Sequence, residues 1–153
     1  MANSVTTQVL ANTDRKLVIQ RVLFSDGTEE DQAVMVDISA SAYNHSDGTA
    51  MSGVAVERIY GSISSTATVT HVTLGWAATV IYPFAHLGHS TGVNSAFDLD
   101  YGSEWGGITK DSITQDAGTE AGNGSPTGDI AVTTGTLDDG ESYVITLVMR
   151  KIF

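Results

Sequence analysis

Alternation of apolar and polar residues with a period of two runs through much of this chain, the spacing of strands with one face in a core. Between Lys16 and Phe24, Leu17 and Ile19 share one face while Val18, Val22 and Phe24 share the other. Ala33 to Ile38 places Val34, Val36 and Ile38 together, opposite Met35 and Asp37. Val54 to Ile63 reads as a longer strand, with Val54, Val56 and Arg58 on one side and Ala55, Ile59 and Ile63 on the other. Ala67 to Trp76 sets Ala67, Val69, His71 and Thr73 against Thr68, Thr70, Val72, Leu74 and Trp76. From Glu141 to Phe153, Tyr143, Ile145, Leu147 and Met149 line one face, and Val144, Val148 and Ile152 belong to the other. A strand apolar on both faces belongs inside a sandwich or at an interface.

Turns separate these runs. Ser25-Asp26-Gly27-Thr28, Ser46-Asp47-Gly48-Thr49 and Asp138-Asp139-Gly140 each carry an Asp-Gly pair, which supplies left-handed backbone cheaply. The glycine-rich stretch 116–128 has almost no large side chain and reads as a long exposed loop. Residues 1–12 are polar, β-prone and weakly patterned, as an extended arm would be. Helix signals are thin. The expected fold is all-β: an N-terminal arm over 1–12 and a single β-sandwich over 13–153, with the jelly roll among its candidate topologies.

Composition narrows the function. The chain has 153 residues, enough for one domain with a real core. Its formal net charge of −11 repels phosphate backbones and anionic lipid, so neither nucleic acid nor a membrane is an expected partner. With no cysteine, disulfides and thiolate zinc sites are excluded. No apolar run approaches a membrane span, and the first residues lack the cationic and apolar parts of a signal peptide, so the expectation is use without export.

Candidate chemistry is sparse. His86 and His89 stand three apart around Leu87-Gly88, and a metal would need a third ligand such as His45 or His71. With Pro83 and Gly88 beside them, the segment reads as a loop whose histidines pack or hydrogen-bond. Asp98, Asp100 and Glu104 partly match a calcium loop, but their spacing is not that of an EF-hand, and an acidic strand end is the simpler reading. The same acids with Asp111, Tyr101 and Trp105 have the residue types of a sugar site without a readable geometry. There is no Gly-x-Ser-x-Gly elbow and no Gly-Lys-Ser/Thr phosphate loop. No catalytic residue, metal ligand or cofactor is therefore assigned.

Several segments resemble a known family. Met1-Ala2-Asn3-Ser4-Val5-Thr6-Thr7-Gln8-Val9-Leu10, Arg15-Lys16-Leu17-Val18-Ile19, Asp26-Gly27-Thr28-Glu29-Glu30 with Val36-Asp37, and Asp139-Gly140-Glu141-Ser142-Tyr143-Val144-Ile145-Thr146-Leu147 are similar to the ends of small virion structural proteins of tailed bacteriophages, of the cyanophage and marine-phage type. The resemblance covers the two ends of the chain, and Ala40 to Thr136 lies outside it. It implies a capsid decoration (cement) protein, a homotrimer on the virion surface whose partner is the major capsid protein. It also implies that the arm, Ala2, Asn3, Ser4, Val5, Thr6, Thr7, Gln8, Val9 and Leu10, reaches a neighbouring subunit by adding a strand to a sheet edge. A tail, neck or baseplate component is the nearest alternative. A carbohydrate-binding sandwich displaying Trp76, Tyr82, Tyr101 or Trp105 is the alternative from another class.

Overall fold

A computed structural model describes residues 3–65, 70–89, 95–102, 106–111, 124–135 and 137–153. Nine strands are described: β1 (Ser4–Asn12), β2 (Lys16–Asp26), β3 (Ala33–Val36), β4 (Gly53–Ser64), β5 (Thr70–Trp76), β6 (Tyr82–His89), β7 (Ser95–Asp100), β8 (Ile130–Gly135) and β9 (Asp139–Ile152). They form a five-stranded sheet in the order β1-β2-β9-β4-β7 and a four-stranded sheet in the order β3-β8-β5-β6. Every pairing between them is antiparallel. The chain is an all-β sandwich.

The pairings are nested. β2 pairs with β9, β3 with β8, β4 with β7 and β5 with β6, as in one long hairpin with its tip between β5 and β6. Rolling that hairpin brings β4 against β9 and β5 against β8, which closes the two sheets in jelly-roll order. β1 is an addition to this plan, laid on the free side of β2.

The core lies between the sheets. In the larger sheet, Leu17, Ile19 and Leu23 of β2, Tyr143, Ile145 and Leu147 of β9, and Ile59 and Ile63 of β4 are buried, all at 1% exposure or less. Because opposed residues point to the same face, these side chains form rows across the sheet. One row runs Ile19, Leu147, Ile59, Leu99. Another runs Leu23, Tyr143, Ile63. From the smaller sheet, Val72, Leu74, Trp76, Ile130 and Val132 are buried in the same core.

Bulges correct two expectations drawn from strict alternation, and an edge strand corrects a third reading. In β4, Val54 and Val56 are buried together with Ile59 and Ile63, not opposite them. The register against β9 shifts between Val56 and Arg58, so the extra residue Glu57 moves the inward set from even to odd positions. In β3 the register shifts between Val34 and Val36, which buries both Met35 and Val36 and leaves Val34 exposed. The third concerns Tyr82 to His89, expected as a loop. It is strand β6, an edge that tolerates Pro83 because one side of its ladder is unpaired. Its pairing with β5 also shifts register, between Leu74 and Gly75. Strand β7 ends at Asp98 and Asp100, the acidic strand end read from the sequence, and β8 answers to none of the runs. Gly61 of β4 is required by close approach: at φ +153°, a Cβ there would lie 1.9 Å from the Val144 carbonyl oxygen.

Candidate assembly edge

The segment expected as an arm is extended and belongs to the chain's own sheet. Ser4 pairs with Phe24, Thr6 with Val22, Gln8 with Gln20 and Asn12 with Leu17, with one register shift between Val9 and Ala11. Two asparagine amides hold its ends. Asn3 Nδ2 donates to the Thr28 carbonyl (2.9 Å) and its Oδ1 accepts from the Asp26 amide (3.0 Å). Asn12 Nδ2 donates to the Ala42 carbonyl (2.7 Å), and its Oδ1 accepts from Lys151 Nζ (2.6 Å). The strand between these anchors is pre-ordered. Ala2 lies outside the described residues.

Although paired, β1 is uncovered. The core rows of the larger sheet continue onto it: Val9 extends the row of Ile19 and Leu147, and Val5 extends the row of Leu23 and Tyr143. Yet Val5 is 41% exposed and Val9 47%, because the opposing sheet does not reach over β1. Leu10, at the register shift, is 50% exposed. Both faces of β1 and its outer edge are therefore open.

The middle row differs in chemistry. It runs Thr7, Arg21, Ile145 and places a buried charge beneath β1. Arg21 forms a salt bridge with Glu30, Arg21 Nε donates to Tyr143 Oη (3.0 Å), and Tyr143 Oη donates to Glu30 Oε2 (2.6 Å). Arg21 Nη1 donates to Thr7 Oγ1 (3.4 Å), which ties the network to β1. Burial, then hydrogen bonding to the Glu30 carboxylate, pushes the Tyr143 phenol well above its ordinary pKa, so it stays a donor. The backbone amide of Glu30 donates to Thr134 Oγ1 (2.8 Å), so the network also reaches β8. Periodicity alone gave no sign of this cluster. The signal was an arginine in phase with Leu17, Ile19 and Leu23, a charge at a core position.

A free strand edge invites another strand, and proteins blunt such edges with short strands, charge or proline. The two sheets have four edges, β1, β7, β3 and β6. β3 is only four residues long. β6 contains Pro83, and β7 carries Asp98 and Asp100. β1 has nine residues, no charge and no proline; only the irregularity near Leu10 interrupts it. It is the least protected edge.

The other candidate residues are spread out. His86 is exposed on β6, with Nδ1 3.2 Å from Thr73 Oγ1, and His71 of β5 lies against Gly135 of β8. His45 sits at another place in the chain beside Asp14 and Asp47, and among the described residues no group of three metal-ligating side chains converges. Asp98 is engaged by Arg58 through Nε (2.8 Å) and Nη2 (2.6 Å), and these hydrogen bonds hold its carboxyl below the usual range. Asp100 Oδ1 accepts from the Gly102 amide (3.0 Å). Glu104, Trp105 and residues 116–123 of the glycine-rich loop lie outside the described residues. Trp76 is fully buried and Tyr82 is 7% exposed, so neither offers a ring face to a sugar. A cavity of ≈ 220 Å³ adjoins Trp76, Ser52, Lys110 and Ile152. That is below the roughly 300–1,000 Å³ of small-molecule sites.

No family model matches the chain, and no curated protein matches it. Among solved structures it is similar to a Bacillus endospore appendage protein, from a family of disulfide-linked pili. The identity is 10% and the TM-score 0.37, over 100% of this chain and 92% of that one. Similarity at this level leaves the function to be argued from the chain's own residues.

Proposed function

We propose that this chain is a non-enzymatic structural protein that acts by assembly, with β1 as the strand it offers to a neighbouring subunit. The observation that carries this reading is the open edge: a pre-ordered, uncharged, proline-free strand in a sheet whose other edge is charged. Strand addition there gains main-chain hydrogen bonds at little ordering cost, since Asn3 and Asn12 already hold the strand. In a repeating shell each such contact recurs at every copy, so individually weak contacts sum to large stabilisation.

Within that class, the reading is a capsid decoration protein on the outer surface of a tailed-phage head, bound to the major capsid protein. The family resemblance of residues 1–10 and 139–147 supports it, as does a jelly-roll plan, which serves viral capsid and lectin domains alike. Fold by itself does not choose between those uses. The burial of Trp76 and Tyr82 weighs against the lectin use.

The test is co-sedimentation with expanded, protein-stripped heads and separately with tails. The full chain should bind heads saturably, and a variant lacking Ala2–Leu10 should lose binding while circular dichroism shows the remaining strands still folded, less the contribution of β1. Binding to tails alone would move the protein to the tail, neck or baseplate. Unchanged head binding by the truncated variant would sink the role of β1.

A further inference from the structure

The first occupant of the β1 edge can be read from β1 itself. We infer that β1 pairs with β1 of a second copy, antiparallel about a two-fold axis centred on Thr7, joining two five-stranded sheets into one. The inference rests on the assembly reading above and specifies the neighbouring subunit.

Charge is the first argument. Copies carrying a formal −11 each repel, so a self-contact must be built on a neutral patch. Ser4 to Asn12 contains no ionisable side chain, whereas the opposite edge of the same sheet carries Asp98 and Asp100. A two-fold contact through β7 would crowd Asp100 and the Arg58–Asp98 ion pairs of both copies at the seam. One through β1 brings no ionisable side chain of its own strand there.

Self-complementarity is the second. A two-fold interface sets residue i against j and j against i, so a strand pairing with itself must read compatibly in both directions. The regular part of β1 ends at the register shift after Val9. Its core-side face there is Val5, Thr7 and Val9, the residues opposed to Leu23, Arg21 and Ile19. Centred on Thr7, the pairing sets Val5 against the partner's Val9 and Thr7 against the partner's Thr7. On the other face Thr6 meets the partner's Gln8. β-Branched pairs and Thr–Thr pairs are favourable cross-strand neighbours. A one-residue slip would set the core-side face of one copy beside the outer face of the other, breaking the row.

The pairing also completes rows the monomer leaves open. Leu147, Ile19 and Val9 would continue into the partner's Val5, Leu23 and Tyr143. Val5 and Val9, about half exposed in the single chain, thereby gain an apolar neighbour on the open side. A two-fold pair is a dimer, distinct from the trimer that the family resemblance implies.

The absence of cysteine makes the test clean. Thr7→Cys places two sulfurs across the axis, where opposed Cα atoms lie about 4.5–5.5 Å apart, inside the roughly 4.4–6.8 Å that a disulfide spans. Ser4→Cys places its pair six residues apart along the strands, roughly 20 Å, out of reach. Both sites are exposed, so both variants should fold, which circular dichroism checks. The unmodified chain should sediment as a concentration-dependent dimer. Under mild oxidation Thr7→Cys should give a covalent dimer and Ser4→Cys should not, and Thr7→Lys should return the chain to monomer. A chain monomeric at all concentrations would overturn the inference, as would a dimer cross-linking equally at Ser4 and Thr7. A dimer with this pattern that ignores phage heads would leave the inference standing and remove the virion reading. A monomer that needs β1 to bind heads would do the reverse.

Discussion

Replacing Glu30 with alanine should destabilise the fold by about 3–5 kcal/mol, because it leaves a buried guanidinium without its counter-charge. The side chains of Arg21 and Glu30 are 8% and 7% exposed, so water cannot readily take the place of the carboxylate. After the change Arg21 keeps only neutral acceptors, Tyr143 Oη at 3.0 Å and the weak contact to Thr7 at 3.4 Å. Tyr143→Phe is a milder perturbation: it removes the donor to Glu30 and an acceptor for Arg21 but leaves the ion pair, so about 1–3 kcal/mol is expected. Replacing both charges by Met should cost less than Glu30→Ala alone, since nothing charged then stays buried. Urea denaturation at neutral pH reads all three. With a slope of about 2 kcal/mol/M, Glu30→Ala should lower the midpoint by roughly 1.5–2.5 M. A shift under about 0.5 M, or a double variant worse than Glu30→Ala, would refute the claim that a desolvated charge pair lies under β1.

Three further outcomes follow from the packing and electrostatics. Leu147→Ala, at a fully buried position between Ile19 and Ile59, should cost about 2–5 kcal/mol in the same assay. Gly61→Ala should cost about 3 kcal/mol or more, because its Cβ meets the backbone oxygen of Val144 and not a side chain that can turn away; a near-native midpoint would show that β4 and β9 are not this close. Asp98 is held low by hydrogen bonds from Arg58, and Asp14 by those from Ser46. A lowered folded pKa stabilises fully above the unfolded value and loses that contribution as pH falls through the folded one. The melting temperature should therefore be level from pH 7 to about pH 5 and fall below about pH 4, and Asp98→Asn should soften the fall.

The sequence made the fold class legible because period-two alternation and Asp-Gly turns are local signals. β2 and β9 were readable almost to their ends. β4 was located, but its facing was not, since the single extra residue at Glu57 reverses the phase and leaves no mark in composition. β6 was hidden by Pro83 and Gly88, residues that argue against a central strand and are harmless at an edge. The nested pairing that defines the jelly roll joins strands as far apart as Lys16 and Arg150, and no local pattern carries it. For the candidate site, the weak patterning of residues 4–12 was the readable clue, because a strand with both faces open has no side to make apolar. That β1 lies on β2, with its ends held by Asn3 and Asn12, depends on contacts with residues 26, 28 and 42 that spacing could not supply.

The most direct test of the central claim is hydrogen exchange along β1, free and assembled. In the free chain β1 bonds through one side only, so the amides that point to its open edge should exchange fast. When the protein is bound to heads, or held in its own oligomer, those amides in residues 4–12 should become protected while the core strands stay unchanged. New protection confined to β3, β6 or β7, with β1 exchanging as it does in the free chain, would contradict the account.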